Sequence, residues 1–126
     1  MELQELKKDF AVCKVSSVAT VDLTNKFTFL SVTDEEISLV CVESRIPDNT
    51  IAVEKDWKGL KICGVLDFGM IGVIARISKL LADEKISIFV VSTFNTDYIF
   101  LKSEHYVKAV TILQSNGYEI NGYEIN

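Results

Sequence analysis

The sequence predicts an α+β fold organised around a β-α-β-β-α-β unit, and three observations lead there. From Trp57 onward, short apolar, β-branched runs alternate with two segments of helical period. The two helical segments are separated by a pair of strand-like runs joined through a tight turn. Two helices can then cover one face of an antiparallel sheet in the ferredoxin-like manner. The residues before Trp57 repeat the strand signals without a full helical segment. They read as a degenerate, strand-rich version of the same unit that shares its core, because a unit so small would not be stable alone. The expected organisation is therefore 1–56, 57–120 and a tail, 121–126.

The elements follow in chain order. Phe10–Val15 is apolar and β-branched and reads as a strand. Ser16–Lys26 is mixed and polar, suited to a loop or a short irregular helix. Phe27–Val32 reads as a second strand. Thr33 stands as an N-cap before Asp34, Glu35 and Glu36, which predicts a short helical turn. Ile37–Val42 is nearly all apolar and reads as a central strand. Arg45–Lys55 holds the single proline, Pro47, beside Asp48 and Asn49, and reads as a loop and boundary.

In the second half, Leu60–Val65 is a strand and Leu66–Gly69 a turn. Met70–Glu84 places Ile71, Ile74, Ile77 and Leu81 at offsets of three and four, which predicts an amphipathic helix. Ile86–Thr93 and Asp97–Lys102 are strands around the turn Phe94–Thr96. Ser103 is placed to cap a helix from Glu104 to Asn116 whose apolar face is Tyr106, Val107, Val110 and Leu113, with Gly117 ending it. Tyr118–Ile120 makes a last short strand. The pentapeptide Asn116–Ile120 is repeated directly at Asn121–Ile125; one copy suffices for the strand, and the other reads as a frayed tail.

Composition narrows the function classes. Of 126 residues, 48% are hydrophobic and 25% charged, enough apolar material for a packed core, which excludes general disorder. The formal net charge of −5 repels phosphate backbones, so nucleic acid is not expected as the primary partner. No run approaches the ~18 apolar residues of a membrane span. The opening residues carry acid where a signal peptide would be basic. A soluble, cytoplasmic protein with no membrane partner is the expectation. Cys13, Cys41 and Cys63 lie far apart in apolar runs, with no CxxC spacing, and read as reduced core thiols. No metal or cofactor is expected.

Two segments stand out as candidate sites. In Val65–Val73, Gly69 and Gly72 bracket the first helical turn. Either they let a small carboxylate approach the free N–H groups of a helix start, or they only permit a tight turn and close packing. In Ser92–Tyr98, Asp97 is able to receive an ammonium group, Thr93 to hydrogen-bond a polar ligand atom, and Phe94 to form an apolar wall. The alternative is an ordinary hairpin in which Asn95 and Thr96 supply the turn and Asp97 serves the local backbone. His105, the sole histidine, lies early in the last helix with no nucleophile spaced to partner it. The pairs Glu35–Glu36 and Asp83–Glu84 and the lysines Lys55, Lys58 and Lys61 read as solvated faces, and Trp57 as a core or interface anchor.

The run Trp57–Phe68, then Gly72–Ala75, then Ile86–Tyr98 with its Ser-Thr-Phe-Asn-Thr-Asp-Tyr element, resembles the ACT-domain family. It is similar in particular to short bacterial proteins built of two ACT-like units, whose relatives include the arginine-sensing CASTOR proteins. Glu36–Cys41 and Arg45–Pro47 match the first half of that group. The resemblance implies a non-catalytic module that binds an amino acid or similar small metabolite between ACT units, with a homodimer as the expected assembly. It points to Leu66, Asp67, Phe68, Gly69 and Gly72, together with Thr93, Phe94 and Asp97, as ligand contacts. Many family members carry Ser or Thr where this chain has Gly69, so one hydroxyl donor is missing from the expected pocket. The alternative is a structural or dimerisation module that has lost its ligand. A small enzyme would need a nucleophile–base pair, metal-ligand spacing or a phosphate loop, and the sequence offers none of these.

Overall fold

The computed structural model describes residues 1–64 and 71–123. The strands are β1 (Glu2–Glu5), β2 (Phe10–Val15), β3 (Phe29–Val32), β4 (Ile37–Val42), β5 (Thr50–Ile62), β6 (Ile88–Ser92), β7 (Asp97–Lys102) and β8 (Glu119–Asn121). The helices are α1 (Val73–Ala82) and α2 (Tyr106–Ser115), and single 3-10 turns occupy Glu43–Arg45 and Ser103–His105. The chain forms two compact units: residues 8–57, and residues 1–7 together with the chain from Lys58 onward.

The second of these units is the ferredoxin-like one. From β5 it runs β-α-β-β-α-β, and its strand order is β6-β7-β5-β1-β8. β1 lies between β5 and β8, antiparallel to the first and parallel to the second, with Leu3 opposite Ile62 and Ile120. Leu60, Ile62, Ile99 and Leu101 from the strands meet Ile77 and Leu81 of α1 and Ala109, Val110 and Leu113 of α2 in one buried cluster. Leu3 joins it at 0% exposure. Arg76 fastens α1 to the end of α2: its guanidinium donates to the Tyr118 hydroxyl and the Asn116 carbonyl, both at 3.1 Å. On the opposite face of the strands Phe89 stacks on Phe100 at 4.8 Å. Gly59 is what lets the chain pass there, since a Cβ would stand 2.7 Å from Leu6 Cδ1 and 3.0 Å from the Phe100 ring.

The other unit has the strand order β3-β4-β2-β5 and its own cluster of Ala11, Cys13, Val15, Leu39 and Cys41. It repeats the larger unit in outline. Thr33 closes the β3–β4 turn by accepting the Glu36 N–H at 3.1 Å and donating to the Glu36 carbonyl at 3.1 Å. Thr93 makes the same pair of bonds with Thr96 across the β6–β7 turn. A 3-10 turn follows β4, as one follows β7. Where the larger unit has α1, this one has an extended connector from Ser16, with Val21 packed on its cluster and held by Asn49, which donates to the Ser17 carbonyl at 3.0 Å. Where the larger unit continues into α2, this one turns directly into β5.

Several expectations need correction. Arg45–Lys55 is not a loop: β5 begins at Thr50, and its ladder with β2 overrides the polar composition. Lys55 and Asp56 form a bulge opposite Ala11, with Asp56 at φ 68°. Thr33 caps a hairpin turn, not a helical one, because Ile37 pairs back onto Val32. Of the two readings of Ser16–Lys26, the loop is the one observed. Ile71 precedes α1 and is 91% exposed, so it belongs to no core face. Val107 is 63% exposed, and Ala109 takes its place on the buried face of α2. Ser103 opens a 3-10 turn, and α2 itself begins only at Tyr106. The second pentapeptide copy is not simply frayed. Asn121 lies in β8 and accepts from Gln4 Nε2 at 3.1 Å, and the Tyr123 ring packs 6.2 Å from Tyr106. Gly117 and Gly122 both hold the left-handed backbone, at φ 91° and 86°, so the two copies begin with the same local turn.

Candidate functional site

The β6–β7 hairpin and the start of α1 are the two ends from which the candidate site is built. Ser92 pairs with Asp97, and the four residues Thr93–Thr96 form the turn, closed by Thr93 N–H to the Thr96 carbonyl at 2.8 Å. The Thr93 hydroxyl donates to that carbonyl at 3.0 Å and accepts from the Thr96 N–H at 3.4 Å. Its proton is thus used within the turn, as that of Thr33 is in the smaller unit. Phe94 projects from the tip at 81% exposure.

Thr96 is the residue that positions the hairpin. It is 4% exposed, and its hydroxyl donates to the Ile62 carbonyl at 2.8 Å, tying the turn to the end of β5. The sequence reading gave Thr96 only a turn role. The continuous apolar run Tyr98–Leu101 carries no alternation that would mark Thr96 as inward-facing; only the bond to Ile62 reveals it. Asp97 follows at the mouth of β7. Alternation along β7 sets Asp97 on the same face as Ile99 and Leu101, the face that carries the helices. Asp97 is half-buried, and its carboxylate makes no hydrogen bond or ion pair among the described residues.

Gly72 is the N-cap of α1, at φ 80°. A Cβ there would meet nothing within 4 Å, so the glycine serves the left-handed backbone rather than a close contact. Gly72 itself offers no capping side chain and no acid occupies the first turn, so the helix's own residues leave the partial positive charge of its start uncompensated. Leu66, Asp67, Phe68 and Gly69, the other expected contacts, lie outside the described residues.

His105 stands 3.5 Å from Glu104 on the surface. Cys13 and Cys41 are buried free thiols in neighbouring strands; burial pushes both up, Cys41 to about 12. Burial, and then the Glu5 carboxylate, raise Tyr106. Among the described residues no three His, Cys, Asp or Glu side chains are grouped as metal ligands, and no helix is long and apolar enough to cross a membrane.

Comparison with known proteins agrees with the fold. A crystal structure of an Agobacterium tumefaciens protein superposes with a TM-score of 0.84 at 27% identity, covering 99% of this chain and 96% of that one. A Vibrio cholerae protein of unknown function, described as a possible transport protein, gives 0.71 at 19% identity over 90% and 88% of the two chains. The ligand-free regulatory subunit of aspartate kinase from Thermus thermophilus gives 0.63 at 10% identity over 90% and 95%. The last two likenesses are of fold alone. No curated protein matches the chain. The model of the ACT domain matches residues 52–115, from β5 through α2 and just over half of the sequence, and on that ground this chain belongs to the ACT domain family.

Proposed function

We propose that the chain is a non-catalytic, ligand-binding regulatory module whose ligand is a small amino acid. The ligand carboxylate would lie at the start of α1 by Gly72, with Leu66, Asp67, Phe68 and Gly69 contributing from the preceding segment. Its ammonium group would lie against Asp97, with Thr93 and Phe94 beside it. The observation that carries this reading is the Asp97 carboxylate. It is held on the helix side of the sheet by a hairpin anchored through Thr96, and it is without a partner among the described residues. Membership of the ACT family and the likeness to a regulatory subunit support it. The same proposal includes kinship with the two-unit bacterial proteins related to the CASTOR sensors, the division 1–56, 57–120 and 121–126, a homodimer and a cytoplasmic setting. Binding would signal through a difference in ligand affinity between two arrangements of protomers.

A thermal-shift screen against the twenty amino acids tests it. One amino acid should raise the melting temperature, and Asp97→Asn should weaken that ligand about tenfold or more, as loss of a charge-assisted contact does. Unchanged affinity in the variant defeats the role of Asp97. A silent screen from a dimeric protein supports the second reading, an interaction module without a ligand. The exposed Phe94 ring and the proton of Thr93 committed to its own turn are the features that favour that reading.

A further inference from the structure

The smaller unit holds a second concavity, remote in sequence from the hairpin and from α1. Its topology explains it. β2 and β3 both run antiparallel to β4, with Phe10 opposite Val42 and Phe29 opposite Val40. The residues leading into β2, the turn leading into β3 and the 3-10 turn leaving β4 are thereby brought to one end of this unit. They line a half-open concavity of about 250 Å³ that includes the exposed residues Lys8, Lys26 and Arg45, with Asn25, Ser44 and the Phe27 ring.

Three cations from three separate segments therefore converge in a chain with 13 basic and 18 acidic residues. Lys8 and Lys26 make no ion pair among the described residues. Arg45 feels Asp22, whose carboxyl is held below its ordinary value first by hydrogen bonds from Thr24 and then by the charge of Arg45. The other nearby acids, Asp9 and Glu43, line an adjoining cleft that shares Lys8 and Ser44, and Glu43 is engaged by the Asp56 N–H at 3.0 Å. The wall is built rather than floppy. Phe27 holds a left-handed backbone at φ 60°, its ring meets Phe10 edge-on at 6.4 Å, and Thr28 donates to the Asn25 carbonyl at 2.7 Å.

We infer that this concavity is a binding site for a small polyvalent oxyanion, a molecule with two or more anionic oxygens and a short carbon body lying against Phe27. Clustered like charges repel one another, and an anion among them relieves that repulsion while Arg45 offers a planar fork of donors to its oxygens. Asn25 and Ser44 add neutral hydrogen-bonding groups. Phosphate esters and polycarboxylates share this chemistry.

Inorganic phosphate and citrate serve as separate probes, each against sodium chloride at matched ionic strength, with backbone amide NMR shifts as the readout. At least one probe should give saturable shifts at Asn25–Phe27 and Ser44–Arg45, and the one that does identifies the class. Lys26→Gln and Arg45→Gln should each weaken it about tenfold, the loss of one charge-assisted contact. Asp97→Asn should leave it unchanged, which separates this site from the amino-acid site proposed above. Absence of saturable shifts with both probes, or equal affinity in the parent and both variants, overturns the inference.

Discussion

Truncating Leu3 to alanine tests the least expected feature of the fold, the N-terminal strand inserted between β5 and β8. Leu3 is fully buried, opposite Ile62 and Ile120, in the cluster that both helices cover. The change removes three carbon groups. At about 0.8 kcal/mol each, the transfer loss is about 2.4 kcal/mol. An incompletely collapsed cavity adds to it, so about 3 kcal/mol is expected, inside the ~2–5 kcal/mol span of buried leucine truncations. Urea unfolding followed by far-UV circular dichroism reads this directly. With a slope of about 1–3 kcal/mol per molar, the midpoint should fall by about 1–3 M at unchanged slope. Leu23→Ala is the control, the same chemical change at an exposed leucine, and should stay within about 0.5 kcal/mol of the parent. If Leu3→Ala unfolds at the same urea concentration as Leu23→Ala, β1 does not pair where the structure has it, and the strand order of the larger unit is wrong.

Two further outcomes follow from the buried polar groups. Thr96→Val deletes the hydroxyl bonded to the Ile62 carbonyl and should cost about 1 kcal/mol in the same urea assay; amide NMR shifts should concentrate in Thr93–Asp97, and shifts spread evenly through the unit would deny that the hairpin hangs on this bond. The buried thiols make stability fall in alkali. Folded Cys13 and Cys41 keep their protons where an unfolded thiol, at an ordinary value of 9.0, loses them. The unfolded chain then binds fewer protons, so stability is full below pH 9.0 and declines as pH climbs toward about 12. Cys13→Ala/Cys41→Ala should show a shallower decline between those values, and an identical slope would show that the thiols are not the cause.

Much of this architecture is legible in the residues, for physical reasons that differ by element. β2, β4 and β7 announce themselves because each buries at least half of its residues and leaves at most one exposed, giving dense apolar, β-branched runs. α1 is legible from Ile77 and Leu81 at helical spacing, although the same pattern falsely recruits Ile71. β1 is not legible. Only Leu3 and Leu6 are apolar and buried among charged neighbours, at a spacing of three that resembles no strand, and the segment becomes a strand only because β5 and β8 offer it two open edges. The first part of β5 fails for the opposite reason: Ile51 and Val53 are exposed, so the ladder to β2, not burial, holds it extended. Of the candidate site, the hairpin and the position of Asp97 were readable from the turn residues. The anchoring of that hairpin by Thr96 was not, since it depends on the Ile62 carbonyl 34 residues away.

The doubled pentapeptide carries a consequence for how the chain tolerates shortening. Because Asn116–Ile120 and Asn121–Ile125 are the same five letters, excising either one leaves a single identical polypeptide. That product still spells a complete closing segment after α2, with a glycine ready for the left-handed corner and a tyrosine to follow it inward. What disappears is one aromatic ring, Tyr123, from beside Tyr106. The repeat thus holds redundancy in its wording: loss of one copy leaves another that reads the same.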